Sequence, residues 1–271
     1  MKLSEVKQRL LMAGVENAVG ESLMLFRHFT SIPEYALRLD DPDCSDEAFL
    51  DAVACRERRE PLQYILGECA FYEEVYRVTP AVLIPRSDTE VLVEEICRRI
   101  PRGGSLLDLC TGSGCIGISL KLLNRNYEVT ASDLSEAALA VAGKNAASLG
   151  ANLLFIQSDL FEQVPGRYDM IVSNPPYISV DEIQTLAPEV KEHDPYGALC
   201  GGEDGLDFYR RIVKEAKSYL NQKGVLLMEI GCRQAKDVSE MCEACGYTDI
   251  RVIKDYAGLD RVVSARMLIL K

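Results

Sequence analysis

The sequence has little of what marks several common protein classes. It contains two histidines, His28 and His193, and its one CxxC pair, Cys242 and Cys245, has no second pair to accompany it. Clustered zinc ligands are therefore not indicated, and we expect no metal. A Ser-His-Asp hydrolase of the nucleophile-elbow type is excluded because the sequence has no G-x-S-x-G motif.

Long apolar runs are also missing. No stretch approaches the ~20 apolar residues that cross a bilayer. The first residues, MKLSEVKQRL, mix charged and apolar side chains, which is unlike a signal peptide. The ten cysteines are scattered, which favours reduced thiols over a disulfide framework. We expect a cytoplasmic protein that does not associate with membranes.

Positive charge is scarce, with 30 Lys and Arg against 42 Asp and Glu and a net charge of −12. Affinity for nucleic acids comes mainly from Lys and Arg at the phosphates, so this balance argues against nucleic acid as the main partner. A local basic groove on an acidic protein would still permit a nucleic-acid substrate. Our expectation is that the protein makes no direct nucleic-acid contact.

The length of 271 residues allows one full α/β core and a smaller second domain. Residues 1–69 have apolar spacing typical of short helices and predict a small helical bundle. One of these helices would begin after Ser45 as its N-cap and end in Arg56, Arg58 and Arg59, a solvated basic end that suits the helix dipole. Residues 70–86 are rich in β-forming residues and predict a hairpin linker.

Strands and helices alternate from residue 87 to residue 271. Apolar strands are predicted at 105–109, 127–132, 153–157, 169–173, 224–230, 248–253 and 261–270. An alanine-rich helix is predicted at 136–148, and Phe208, Ile212, Ala216 and Leu220 repeat at the spacing of a buried helix face. This alternation predicts an α/β domain with a parallel sheet that helices cover on both faces.

A glycine-rich loop follows the first of these strands. Gly112, Ser113, Gly114 and Gly117 fit the pattern G-x-G-x-x-G between a strand and a helix, where the backbone can approach a ligand closely. The next strand ends at Asp133, whose carboxylate can accept hydrogen bonds from ribose hydroxyls. Dinucleotide enzymes and adenosylmethionine enzymes share this layout, so the loop indicates a nucleoside-bearing cofactor without choosing between them.

The strongest chemical signal is Asn174-Pro175-Pro176-Tyr177, directly after the strand 169–173. Two consecutive prolines make a stiff loop that presents one side-chain amide, one backbone carbonyl and one aromatic ring. Asn174 and the Pro175 carbonyl can accept hydrogen bonds from the two N–H groups of a flat amide or an exocyclic amine, while Tyr177 packs against it. The loop therefore predicts methyl transfer to a planar nitrogen, which depends on positioning and fixed dipoles.

Together these motifs resemble the release factor glutamine methyltransferases. The resemblance covers nearly all of the chain after residue 60. It is carried by PLQYILG (61–67), LIPRSDTE (83–90), LLDLCTGSG (106–114), SDLF (158–161), NPPYI (174–178), GGEDGLDFYRRI (201–212), LLMEIG (226–231) and DYAGLDR (255–261). NPPY alone also occurs in nucleic-acid amino-methyltransferases, but its combination with LIPRSDTE and a helical N-terminal domain is much more specific.

The resemblance implies a fold and a substrate. The fold is a Rossmann-like class I methyltransferase domain with a seven-stranded, mostly parallel sheet (87–271), preceded by a helical substrate-recognition domain (1–69) and the hairpin linker (70–86). The implied reaction methylates the side-chain amide nitrogen of the glutamine in the Gly-Gly-Gln motif of class I peptide-chain release factors, with S-adenosyl-L-methionine as cofactor. We expect a monomer.

The resemblance also implies roles for individual residues. Cofactor-binding positions are Thr111, Gly112, Ser113, Gly114 and Cys115 for the methionine part, Asp133 for the ribose, Asp159 and Leu160 beside the adenine, and Asn174 near the cofactor. Asn174, Pro175, Pro176 and Tyr177 bind the glutamine amide, and the catalytic residues are Asn174, Pro175 and Tyr177. Three positions depart from the family pattern: Cys110 stands where Gly is usual, Ser87 where Pro is usual, and Leu160 where an aromatic residue is common.

Two other functions remain open at this point. A nucleic-acid amino-methyltransferase acting on adenine N6 or guanine N2 would use the same NPPY loop, but it would need a basic cleft and a means of extruding the base. A dinucleotide-binding oxidoreductase would use the same glycine loop, but it leaves NPPY unexplained and lacks an evident proton donor.

Overall fold

The computed structural model describes residues 1–30, 32–100 and 102–267, and the chain divides into two compact units. One unit comprises residues 1–68 together with 187–193, and the other comprises 69–186 and 194–271. The sequence predicts one domain over 87–271, whereas residues 187–193 pack with the helices of the first unit.

The secondary structure agrees closely with the predicted alternation. The helices are α1 (Leu3–Met12), α2 (Ala18–Phe29), α3 (Glu34–Leu39), α4 (Glu47–Glu57), α5 (Leu62–Leu66), α6 (Glu90–Arg99), α7 (Cys115–Leu123), α8 (Glu136–Leu149), α9 (Val180–Ile183), α10 (Pro188–Lys191), α11 (Tyr196–Leu199), α12 (Asp207–Tyr219) and α13 (Ala235–Ala244). The strands are β1 (Glu68–Phe71), β2 (Glu74–Arg77), β3 (Gly104–Leu109), β4 (Tyr127–Asp133), β5 (Leu154–Gln157), β6 (Tyr168–Ser173), β7 (Leu220–Glu229), β8 (Tyr247–Lys254) and β9 (Asp260–Met267). A 3-10 turn at Ser87–Thr89 precedes α6. The predicted end of the last strand, 268–270, lies outside the described residues.

The helical unit is built around the apolar faces of α1, α2 and α4. Leu3, Val6 and Leu10 of α1 are buried together with Phe26 and Phe49, whose rings meet edge to face. The α4 helix begins one residue later than predicted: Asp46, not Ser45, is its N-cap and accepts a hydrogen bond from the Phe49 N–H. Either residue type can cap a helix.

The basic end of α4 is not the solvated surface that the sequence predicted. Arg56 is only 4% exposed, and its guanidinium contacts Glu21 at 2.5 Å and Glu189 at 3.1 Å. Arg59 contacts the same Glu189 at 2.5 Å. Burial acts to raise the pKa of Glu189, but the hydrogen bonds from Arg59 and Arg56 lower it to about 2. The two arginines thereby hold α10, which is 130 residues away along the chain, within the helical unit.

The second unit is a seven-stranded sheet in the order β5-β4-β3-β6-β7-β9-β8. All strands are parallel except β9, which is antiparallel to both of its neighbours. Neighbouring side chains of β6 alternate between two buried clusters, Met170 and Val172 on one face and Ile171 on the other. Helices therefore cover both faces, as the alternation of strands and helices predicted.

This unit also contains the predicted β-hairpin and the CxxC pair. Strands β1 and β2 form a two-stranded sheet with a tight turn between them. Cys242 is buried in the core and Cys245 packs against it, so this CxxC pair has a packing role. Within the described residues, no helix combines the length and the apolar character needed to cross a membrane.

Candidate active site

Three loops converge at the carboxyl ends of β3, β4 and β6. The strand order reverses between β3 and β6, and ligands of open α/β sheets bind at such a switch point. A cavity of about 410 Å³ opens there, within the size range of small-molecule sites. Its wall includes nine of the predicted site residues: Thr111, Gly112, Ser113, Cys115, Asp133, Asp159, Leu160, Asn174 and Pro176.

Three predicted residues are not on the cavity wall. Gly114 is the N-cap of α7, and a Cβ there would lie 2.7 Å from Ile118 and 3.1 Å from Ala142, so this face of Gly114 meets the packed interior. Pro175 is buried, and Tyr177 packs against the core cluster. Burial, with the nearby Glu229, raises the pKa of Tyr177 well above its usual range.

The buried side chain of Asp108 supports the glycine loop. Its Oδ2 accepts hydrogen bonds from the Thr111 hydroxyl at 2.6 Å and from the Gly117 N–H at 3.1 Å. Burial raises the pKa of Asp108 to about 7, although both hydrogen bonds oppose this. Gly112 has open space where a Cβ would project, and this leaves the loop backbone accessible to a ligand.

Asp133 is fixed by backbone hydrogen bonds at the end of β4. One carboxylate oxygen accepts from Gly112 N–H and the other from Ser135 N–H, both at 2.9 Å. Burial raises the pKa of Asp133, while these backbone donors act to lower it. Each carboxylate oxygen has a second lone-pair direction, so a ligand with two adjacent hydroxyls can still bind there.

The wall near β5 combines apolar surface with one ion pair. Leu160 and Phe208 offer apolar faces, and Asp159 contacts Arg211 at 2.9 Å. Cys110 and Leu160 both have positive φ angles, 59° and 49°. Left-handed backbone favours glycine, and this accounts physically for the glycine that the family usually has at the position of Cys110.

The NPPY loop is braced by a segment whose role the sequence analysis did not identify. The Ile178 N–H donates to Leu199 at 3.0 Å, and the Gly201 N–H donates back to Ile178 at 2.9 Å. A Cβ at Gly201 would lie 2.8 Å from the Pro176 carbonyl oxygen, and one at Gly205 would overlap the Tyr177 carbonyl oxygen. Gly201 and Gly205 of GGEDG are therefore required by close backbone packing.

Other residues at the site were also missed. Gln234 donates to the Tyr177 carbonyl at 2.9 Å, and Arg86, on the cavity wall, contacts Asp194 at 2.8 Å. Thr89 lies on the same wall and accepts a hydrogen bond from Asn174 at 3.3 Å. Arg86, Thr89 and GGEDG all lie in motifs that carried the family resemblance, whereas nothing in the local sequence marks Gln234.

Curated relatives match the chain over almost its whole length. The release factor glutamine methyltransferase of Geobacter sulfurreducens is 44% identical over 94% of this chain and 91% of its own length. That of Cereibacter sphaeroides is 43% identical over 96% of this chain and 95% of its own length. The chain belongs to the release factor glutamine methyltransferase family. Its catalytic unit is a methyltransferase, which agrees with the predicted fold class.

Domain families and solved structures agree with this assignment. Residues 2–67 match the PrmC N-terminal domain and residues 87–189 match the methyltransferase small domain. Among solved structures, a methyltransferase from Pyrococcus furiosus has a TM-score of 0.57 at 20% identity, covering 72% of this chain and 89% of that one. A 16S rRNA N2 G1207 methyltransferase from Thermus thermophilus has a TM-score of 0.54 at 18% identity, covering 74% of this chain and 50% of its own. At these identities the likeness shows the class I methyltransferase fold alone.

Proposed function

We propose that this protein methylates the side-chain amide nitrogen of the glutamine in the Gly-Gly-Gln motif of class I peptide-chain release factors, with S-adenosyl-L-methionine as methyl donor. The observation that carries the proposal is the placement of Asn174 and Asp133 on the wall of one cavity. Asn174, which would orient the planar amide, therefore faces the same cavity as Asp133, whose carboxylate can accept hydrogen bonds from ribose hydroxyls. The names of the curated relatives support the same substrate.

The cavity suits the proposed cofactor. Asp133 would hold the ribose hydroxyls, the glycine loop from Thr111 to Cys115 would border the methionine part, and Leu160 would lie beside the adenine with Asp159. Bound in this way, the cofactor supplies a methyl group already activated by a sulfonium. The protein therefore needs no residue that activates the electrophile.

Catalysis then requires that the protein positions a poor nucleophile, the carboxamide nitrogen. The lone pair of a carboxamide nitrogen is delocalised, so the nitrogen must be held in line and the charge that develops on it must be stabilised. Asn174 and the Pro175 carbonyl would accept the two amide hydrogens, and Tyr177 would support the flat group. Such fixed dipoles favour the transition state over the ground state.

We also propose that the helical domain, residues 1–69, recognises the release factor, with the hairpin 70–86 as linker to the catalytic domain 87–271. Its surface supports a docking role, since Met12 and Leu39 are each 82% exposed and Leu11 is 66% exposed. Leu11 and Met12 are consecutive at the end of α1, and exposed apolar side chains that lie together are typical of interaction surfaces.

Methyl transfer from labelled S-adenosyl-L-methionine tests the proposed substrate. We expect the protein to label a class I release factor, and a Gln→Ala change in the Gly-Gly-Gln motif of that factor to abolish the label. Mass spectrometry of the tryptic peptide should place one methyl group on the glutamine.

The same assay separates the alternative function. DNA and RNA offered under identical conditions should stay unlabelled, in line with the net charge of −12. Label on nucleic acid with none on the release factor would contradict the proposal and favour an amino-methyltransferase acting on bases.

A further inference from the structure

A buried side-chain amide contacts two parts of the cavity wall without lining the cavity itself. Asn145 belongs to α8 and is 1% exposed. Its Oδ1 accepts a hydrogen bond from the Arg77 N–H at 2.8 Å. Its Nδ2 donates to the Arg77 carbonyl at 3.0 Å and to the Ser113 carbonyl at 2.9 Å. The oxygen and both N–H groups of this amide therefore each have a backbone partner.

Arg77 leads into a segment that forms part of the cavity wall. It is the last residue of β2, and a turn in which the Val82 N–H donates to the Thr79 carbonyl at 3.0 Å follows it. The residues of this segment on the wall are Ala81, Val82, Leu83, Pro85 and Arg86. Asn145 bonds both backbone polar groups of Arg77, as a residue on a neighbouring strand would. It therefore fixes the point at which this segment begins.

Ser113 belongs to the glycine loop and lies on the same wall. Its carbonyl shares a peptide group with the Gly114 N–H, which donates to the Thr111 carbonyl at 2.9 Å. With Asn145 bonded to the carbonyl, this peptide group has a partner at both ends. Because a peptide group is planar, these two hydrogen bonds fix its orientation and that of the loop around it.

We propose that Asn145 is a positioning residue for the cofactor, because it holds the glycine loop and the segment 81–86 in the arrangement that the cofactor requires. A wall that is ordered before the ligand arrives loses less conformational freedom when the ligand binds. Loss of Asn145 should therefore weaken cofactor affinity more than it lowers kcat. This inference rests on the proposed function, since it assumes that S-adenosyl-L-methionine occupies the cavity.

Tyr76 provides a comparison for a purely structural role. It precedes Arg77 in β2, is fully buried, and its hydroxyl lies 2.6 Å from the Ser119 hydroxyl of α7. This hydrogen bond also attaches the hairpin to the catalytic unit, but neither Tyr76 nor Ser119 lines the cavity. Tyr76→Phe therefore weakens the attachment of the hairpin while the glycine loop keeps all its partners.

Two variants of Asn145 test the positioning role. Asn145→Ala removes all three hydrogen bonds, and alanine suits the helix in which it stands. Asn145→Asp keeps an acceptor for the Arg77 N–H but removes the donor to Ser113. We expect the Kd of S-adenosyl-L-methionine, measured by calorimetry, to rise about tenfold or more in both variants, the effect of one lost hydrogen bond or more at the loop.

The kinetic readout separates positioning from a general loss of structure. At saturating cofactor, kcat for release-factor methylation by Asn145→Ala should stay within about threefold of wild type. Tyr76→Phe should keep the Kd of the cofactor within about twofold, and urea unfolding of each variant reports that it is folded. Wild-type Kd in Asn145→Ala, or an equal rise of Kd in Asn145→Ala and Tyr76→Phe, would overturn the proposal.

Hydrogen–deuterium exchange tests the same idea without ligand or turnover. In the ligand-free protein, Asn145→Ala should speed backbone exchange in both connected segments, 78–86 and 111–117, because both lose a fixed partner. Tyr76→Phe should leave exchange in 111–117 as in wild type. Unchanged exchange of the glycine loop in Asn145→Ala would show that Asn145 does not hold it.

The positioning role and the proposed function fail in different ways. A wild-type protein that binds S-adenosyl-L-methionine but methylates no glutamine would contradict the proposed function alone, and the Kd values would still decide the role of Asn145. If glutamine is methylated while Asn145→Ala keeps the wild-type Kd, only the positioning role is wrong. A wild-type protein that does not bind the cofactor would overturn both.

Discussion

Asn174 and Asp133 line one cavity, but their hydrogen-bond partners differ, and we therefore predict different roles for them. Asp133 is tied to the backbone of Gly112 and Ser135, next to the glycine loop, whereas Asn174 is tied to Thr89 at the base of NPPY. We expect Asp133→Asn to weaken cofactor binding about ten- to hundredfold, because it removes a charged acceptor. Asn174→Ala should instead lower kcat by about 10²- to 10³-fold.

Calorimetry with the cofactor and steady-state kinetics with a release factor measure the two effects separately. Asn152→Ala, at an exposed asparagine away from the cavity, is the control for loss of a side-chain amide. Equal losses of cofactor affinity in the Asp133 and Asn174 variants, with kcat preserved in both, would contradict the division of roles.

Some properties of single residues can be predicted from the local sequence, and others cannot. The position of Asp133 at a strand end is a local feature, and it was predictable from the apolar run before it. The burial of Arg56 was not predictable, because its partners Glu21 and Glu189 are 35 and 133 residues away. A basic helix end and a buried ion pair have the same local sequence.

The loop between β3 and α7 contains two glycines with different requirements. Gly112 has φ of 56° and nothing within 4 Å of a Cβ, whereas at Gly114, with φ of 82°, a Cβ would meet Ile118 at 2.7 Å. Gly112→Ala should therefore cost about 1 kcal/mol of stability, from backbone strain alone. Gly114→Ala adds a clash with a fully buried side chain and should cost about 2–4 kcal/mol.

Urea unfolding of the ligand-free protein gives both values. Gly143→Ala, within α8 and with nothing near its Cβ, is a helical control that should be neutral or slightly stabilising. A larger loss of stability in Gly112→Ala than in Gly114→Ala would contradict the steric clash with Ile118 that we predict for Gly114→Ala.

Elements with their own hydrophobic pattern were predictable, and elements defined by distant contacts were not. Strands β3 to β6 and helix α8 begin and end within about two residues of the sequence expectation, because each carries its own apolar pattern. Strand β7 begins at Leu220, four residues early, since Leu220 pairs with Tyr168 of β6 although it also continues the helical spacing of α12. The bracing of NPPY by GGEDG depends on contacts that form only in the folded protein, so the local sequence does not predict it.

At the scale of the whole molecule, buried carboxyl groups link stability to pH. Burial raises the pKa of Asp108 and of Glu229 to about 7, and that of Asp133 is also raised. At these three carboxyls the folded protein therefore binds a proton more tightly than the unfolded chain does. Stabilisation from these groups is complete below their unfolded pKa values of 3.8 and 4.5 and is lost as the pH rises toward 7.

Carboxyl groups whose pKa is lowered in the fold affect stability in a lower pH range. Glu189, with its pKa lowered to about 2, stabilises the fold above its unfolded value of 4.5 and loses that effect only as the pH falls. Between pH 5 and 7, Asp108 and Glu229 should therefore dominate among the carboxyls. Each can lower the free energy of unfolding by up to about 1.4 kcal/mol per pH unit.

Removing one of these carboxyls should flatten the pH dependence. In urea unfolding of the ligand-free protein, the free energy of unfolding of Asp108→Asn, relative to wild type, should rise by roughly 2 kcal/mol between pH 5 and pH 8. The neutral amide can still accept from Thr111 and Gly117, so the loop keeps its support. Because Glu128 is exposed, Glu128→Gln is the control for the loss of one carboxyl group. If the stability curves of Asp108→Asn and wild type run parallel over this range, Asp108 is not the group whose protonation stabilises the fold.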